Sequence, residues 1–136
     1  MTPPPSGPYQ IEQPNENLLT LLENLVGSPV NIMGPTGNPG EQAWDLQAEG
    51  DSVTLKNLKH NLYAGVTGNP GSGALVVGVP QPFEWKLEAA EPSEYFIYVD
   101  SPDGPLYLEY SPLLIYPPRA ALSPQRGKPW SLQFLE

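Results

Sequence analysis

Three tryptophans, Trp44, Trp85 and Trp130, open the short motifs WDL, WKL and WSLQF at intervals of 41 and 45 residues. A period in this range restricts the fold sharply, because each unit is one supersecondary element that cannot bury its apolar side alone. Other columns keep the period. YQI (9–11), VTL (53–55) and YFI (95–97) alternate apolar with polar or half-exposed positions, as a strand does. NLL (17–19), NLY (61–63) and PLY (105–107) follow them, and PVNIMG, ALVVGV and LLIYPP supply a further apolar run ahead of each tryptophan. Three units of four short strands predict an all-β, twelve-stranded β-trefoil with the tryptophans in its core. Closure of such a barrel removes the exposed strand edges that an all-β protein must hide.

One segment competes with this reading. NENLLTLLENLVG (15–27) carries a plausible N-cap, leucines near helical spacing and a terminal glycine. The threefold register outranks that local preference, so its first half is predicted as the second strand, with a short helix or turn left open around Glu23–Val26. The 19 prolines and 13 glycines punctuate the apolar runs as turns do, and TGNPG occurs twice, at 36–40 and 67–71. Residues 1–7 are expected to form a loose proline-rich tail and 8–136 a single domain without disulfides, since the chain has no cysteine.

A net charge of −9 excludes a nucleic-acid partner and docking on anionic membrane. No signal peptide or membrane span is recognised, and the expectation is a cytoplasmic monomer. The single histidine, His60, has no nucleophile motif to accompany it, and no carboxylate or histidine cluster offers a metal site. The chain is therefore read as neither an enzyme nor a cofactor protein, and binding must reside in its loops.

The order GPYQI, SPVNIMGPTG, QAWDL, VVGVPQPFEWKL, EYFIYV and GKPWSLQF resembles the disulfide-free β-trefoil protease inhibitors of mushrooms. These are the mycocypins (clitocypin and macrocypin) and the related serine-protease inhibitors cospin and cnispin. The resemblance implies a fungal, defensive, cytosolic protein whose partner is a protease. Through it, Asn57 and Asn61 correspond to the region used against legumain. The first loop, QPNEN (13–17), lacks the Gly-Gly of the papain-type mode. The loop ahead of the last strand corresponds to the basic loop of the serine-protease inhibitors.

That last region holds three of the six basic residues, Arg119, Arg126 and Lys128, among Pro117, Pro118, Pro124 and Pro129. A stiff loop presenting Arg suits a trypsin-like pocket, because its ordering entropy is lost before binding. The expected reactive bonds are Arg126–Gly127 first and Arg119–Ala120 second; Lys128 is followed by a proline, which fits such subsites poorly. The competing reading is a ricin-type carbohydrate-binding lectin. Gln42-Ala43-Trp44 matches the Gln-x-Trp of such proteins, the other two repeats do not, and Asp103 with Tyr107 is the one suggestive acid–aromatic pair.

Overall fold

Alternating apolar residues separated by turn formers give twelve strands in the computed structural model, which describes residues 4–136. In chain order these are β1 (Gly7–Gln13), β2 (Asn17–Leu21), β3 (Val30–Met33), β4 (Trp44–Glu49), β5 (Ser52–Asn57) and β6 (Tyr63–Gly65). There follow β7 (Val77–Val79), β8 (Trp85–Ala89), β9 (Glu94–Ser101), β10 (Gly104–Tyr110), β11 (Ala120–Ser123) and β12 (Trp130–Phe134). Among the described residues the one helical element is a 3-10 turn over Pro39–Gln42. All pairings are antiparallel. β1, β4, β5, β8, β9 and β12 close a six-stranded ring. The hairpins β2–β3, β6–β7 and β10–β11 branch from it and meet through the bridges Pro29–Val77, Asn31–Arg119 and Leu75–Ala121. This is the β-trefoil.

The predicted columns set the register. Trp44, Trp85 and Trp130 pair across the ring with Tyr9, Val53 and Tyr95, the first residues of the three matching motifs. All three indoles are fully buried. Each donates its N–H to a carbonyl on the first strand of its own hairpin: Leu19 at 2.9 Å, Ala64 at 2.9 Å and Leu108 at 3.0 Å. Ile11, Leu55 and Ile97, two residues beyond the tryptophan partners, form the next buried layer.

Asn17–Leu21 is a strand as expected, and of the two alternatives left open around Glu23–Val26 the chain takes the turn, closed by the Ser28 N–H on the Leu25 carbonyl at 3.0 Å. The leucine run imitated helical spacing because Leu18, Leu19 and Leu21 are buried on both faces of the hairpin. LLIYPP (113–118) is not a strand. It belongs to an exposed loop, and the eleventh strand is Ala120–Ser123; Pro112, Pro117 and Pro118 remove the donors a ladder needs. Residues 4–7 of the expected tail are docked. Pro4 is buried, the Pro5 carbonyl accepts from the Tyr9 hydroxyl at 2.8 Å, and β1 already begins at Gly7. Residues 1–3 of that tail lie outside the described residues.

The two TGNPG segments occupy different places, one between β3 and β4 and the other between β6 and β7, so they are shared turn chemistry and not a repeat column. In the first, Gln42 is a buried brace. Its amide donates to the Gly34 carbonyl at 2.8 Å and to Thr20 Oγ1 at 3.1 Å, and accepts from the Thr36 N–H at 3.2 Å.

Replacing Trp85 by Ala is expected to cost about 3–5 kcal/mol, since it removes a fully buried aromatic and strips the Ala64 carbonyl of its donor. Urea denaturation of the variant beside wild type measures this directly.

Candidate functional site

The residues singled out from sequence divide into buried braces and displayed groups. Asn57 is a brace. It is fully buried, its Nδ2 donates to the Glu41 carbonyl at 3.0 Å, and its Oδ1 accepts from the N–H groups of Lys59 at 3.1 Å and His60 at 3.0 Å. An asparagine so enclosed cannot enter a protease pocket, which corrects its assignment as a reactive residue. Asn61 is displayed, at positive φ (58°) in the exposed β5–β6 loop, a conformation that asparagine tolerates better than most residues.

Arg119–Ala120 is likewise corrected. Ala120 is in the core as the first residue of β11. Arg119 is held on both sides, bridging to Asn31 and accepting from the Ser111 N–H at 2.7 Å through its carbonyl. That bond is a strand start and not a loop tip. Asp103 and Tyr107 also fail as a sugar-stacking pair. Tyr107 is buried, with Tyr98 and Phe96 against it at 5.6 and 6.3 Å between ring centroids, whereas Asp103 is exposed at the β9–β10 turn.

Arg126 and Gly127 are exposed in the β11–β12 loop, between Pro124 and Pro129. The Arg126 side chain lies back on its own protein. Its guanidinium sits 5.0 Å from the centre of the Phe96 ring and 5.9 Å from that of Tyr107, and pairs with the Glu88 carboxylate at 3.2 Å. The Tyr107 hydroxyl, and after it Glu88, raise its pKa above the ordinary arginine value. Gly127 has φ of 66°, and a Cβ there would overlap the Glu109 carboxylate. Glu109 Oε2 also accepts the Lys128 N–H at 3.2 Å. The loop is thus folded over Glu109.

This folding, with the β1–β2 hairpin opposite, makes a feature that sequence reading missed. Gln13 Nε2 donates to the Lys128 carbonyl at 3.0 Å and ties the hairpin to the last loop. The tip between β1 and β2 is Pro14-Asn15-Glu16, with Asn15 and Glu16 both at positive φ (70° and 56°). On one side of Pro14, Asn15 and Lys128 lies a depression of about 450 Å³, walled also by Glu12, Glu16 and Glu94. On the other side lies one of about 340 Å³, walled by Asn17, Glu109 and Tyr110. Burial, and after it the Glu109 charge, raise the pKa of Tyr110, so its hydroxyl is a neutral donor and acceptor. Carboxylates accept, the ammonium donates, and the amides and the phenol do both. The sequence held one signal for this site: PNEN is a non-glycine hairpin tip with three polar residues.

The chain matches no protein-family model and no curated protein. Among solved structures, the Rhizoctonia solani agglutinin superposes with a TM-score of 0.79 at 20% identity, covering 99% of this chain and 99% of its own. The Macrolepiota procera ricin B-like lectin in complex with lactose gives 0.77 at 22% identity, covering 98% and 100%. A designed threefold-symmetric protein, ThreeFoil, gives 0.79 at 15% identity, covering 95% and 99%. At these identities the likeness shows the fold. What the mushroom inhibitors share with this chain narrows accordingly to the trefoil itself.

Asn57 and Asn61 separate cleanly by experiment. Asn57→Ala orphans buried groups and is expected to lower stability by about 2–3 kcal/mol, whereas Asn61→Gly, at positive φ, changes it by less than about 0.5 kcal/mol. Thermal and urea unfolding of the two variants distinguish brace from displayed residue.

Proposed function

We propose that this protein is a carbohydrate-binding lectin whose sites are the two depressions flanking Pro14 and Lys128. The observation that carries this reading is their lining. Asn15 and Lys128, with Glu12 and Glu16 on one side and Asn17, Glu109 and Tyr110 on the other, surround spaces of about 450 and 340 Å³. A sugar offers many hydroxyls, each both donor and acceptor, on a ring with an apolar face. Carboxylates, amides and an ammonium satisfy the hydroxyls, and Pro14, Pro129 and Tyr110 supply apolar surface for the ring. Spaces of this size suit one or two sugar units.

The end-to-end likeness to two fungal lectins of the same size supports the reading further. The Gln-x-Trp match contributes only to folding, because all the bonds described for the Gln42 amide stay within the protein. Loss of binding on replacing Gln42 would report a collapsed loop and not a lost sugar contact.

A second reading, inhibition of a trypsin-like protease through Arg126–Gly127, keeps one observation in its favour. The bond lies on an exposed loop between two prolines. To fill an acidic pocket, Arg126 would first have to leave Glu88, Phe96 and Tyr107.

A glycan array followed by calorimetric titration tests the lectin reading, with lactose as the first soluble probe. Binding is expected, and Lys128→Ala should weaken it by about tenfold or more, about 1.4 kcal/mol, with the fold intact because that side chain is exposed. Inhibition of trypsin that disappears in Arg126→Ala, together with an empty array, would instead establish the second reading.

A further inference from the structure

The two depressions at the β1–β2 tip have a neighbour. A third, of about 330 Å³, lies against the same Glu109 and Tyr110 and is walled further by Ser72, Pro112, Pro124 and Gln125. The first and second share Pro14, Asn15 and Lys128; the second and third share Glu109 and Tyr110. The three therefore adjoin in a row. The walls that the third adds are held in place. In the β6–β7 loop, Gly73 turns the chain at φ of 85°, its N–H donates to the Leu122 carbonyl at 2.8 Å, and the Leu122 N–H donates to the Ala74 carbonyl at 2.9 Å. In the last loop, Ser123 Oγ accepts the Gln125 N–H at 3.1 Å. Around the row stand four carboxylates, Glu12, Glu16, Glu94 and Glu109, and one ammonium, Lys128. None of these carboxylates is in an ion pair among the described residues.

We infer that the row takes a linear oligosaccharide without acidic groups, its chain running from the first depression past Pro14 and Tyr110 into the third. This rests on the carbohydrate reading and names the class of glycan. Length follows from adjacency. Each volume alone is in the lower part of the roughly 300–1,000 Å³ of small-ligand sites, so a short ligand fills one and leaves the next in water. Units joined to the first are held near the next depression, and their contacts add without a second loss of translational freedom.

The exclusion of acidic sugars follows from charge. A sugar hydroxyl donates to a carboxylate in a charge-assisted bond, stronger than one between neutral groups. A sulfate or carboxylate on the glycan meets like charge instead. Glu12, Glu94 and Glu109 are half-buried, where salt screens less than at the open surface. One ammonium does not offset four carboxylates, and the protein as a whole carries −9. The third depression, with Ser72 and Gln125 exposed beside Pro112 and Pro124, continues the same chemistry of hydroxyl, amide and apolar ring.

The test titrates the intact protein calorimetrically with N-acetyllactosamine chains of two, four and six units, and with cello- and chito-oligosaccharides of the same lengths, each neutral and sulfated. In the series that binds, six units are expected to bind at least about tenfold more tightly than two, about 1.4 kcal/mol. Sulfated chains should bind more weakly, with a deficit that shrinks as salt is raised. Ser72→Trp fills the third depression and Gln125→Ala removes its amide; each should bring the two-unit and six-unit affinities to within about threefold of each other. Both residues are exposed, and an unchanged melting temperature would confirm that the variants fold. The inference is overturned if two units bind as tightly as six, if sulfated chains bind as well as neutral ones, or if both variants keep the full gain from length. If no chain of any series binds, the carbohydrate reading itself falls and this inference with it.

Discussion

Three indole hydrogen bonds hold the barrel to its cap. A tryptophan inside a sheet protein brings a large apolar body and one N–H that must be satisfied once water is gone. Here Trp44, Trp85 and Trp130 sit on ring strands, while their acceptors, Leu19, Ala64 and Leu108, lie on the first strands of the three hairpins. Each tryptophan therefore fixes a hairpin against the ring while filling the space between them. With three such ties, no repeat can reposition without leaving an indole N–H and a carbonyl unpaired in the core. A buried unpaired group of that kind costs about 1–3 kcal/mol, which makes the architecture indifferent to what its loops contain.

The loop before each tryptophan shows that indifference. In the first repeat it is long and organised by Gln42, whose amide spans Thr20, Gly34 and Thr36. In the second it is short, and Phe83 takes up the space instead, packing on Trp85 at 5.1 Å and so close to Gly65 that a Cβ there would meet it at 2.8 Å. In the third, Glu109 reaches under the loop to the Lys128 N–H, and Gly127 is required at the crossing. An amide and a phenyl ring, each two residues ahead of its tryptophan, and a carboxylate on β10 thus perform one task. The third solution leaves an open polar space beside it, because a carboxylate on a strand braces the loop from beneath without filling the gap to the β1–β2 hairpin.

The fold was legible because its signal is long-range and redundant. Tyr9, Val53 and Tyr95 emerged as a column from spacing alone and are the residues that face the tryptophans. Side-chain roles were not legible at the same level. Asn57, at the end of β5, and Asn61, in the loop that follows, are four residues apart, yet one closes three hydrogen bonds in the interior and the other lies at the surface. Asparagine suits both tasks, and only the course of the chain decides between them. The basic cluster misled in a similar way. Arg119, Arg126 and Lys128 are neighbours in sequence, but β11 runs between the first and the other two and places them at opposite ends of a hairpin. LLIYPP reads as a strand on hydrophobicity alone, but its prolines are the stronger signal.

The β10–β11 hairpin joins the exposed apolar loop to the wall of the proposed sugar site. The hairpin spans four paired positions from Tyr107–Ser123 to Tyr110–Ala120, roughly 10 Å at the usual rise per residue. The apolar loop leaves the Tyr110–Ala120 end, and Glu109 and Tyr110, which wall the second depression, stand at that same end. Coupling between them would need an element with two packed arrangements. The strand residues between the ends, Leu108, Ala121 and Leu122, are buried and paired within one ladder, and the Leu108 carbonyl is held by Trp130. A hairpin held in this way fixes where Glu109 and Tyr110 stand at the edge of the depression.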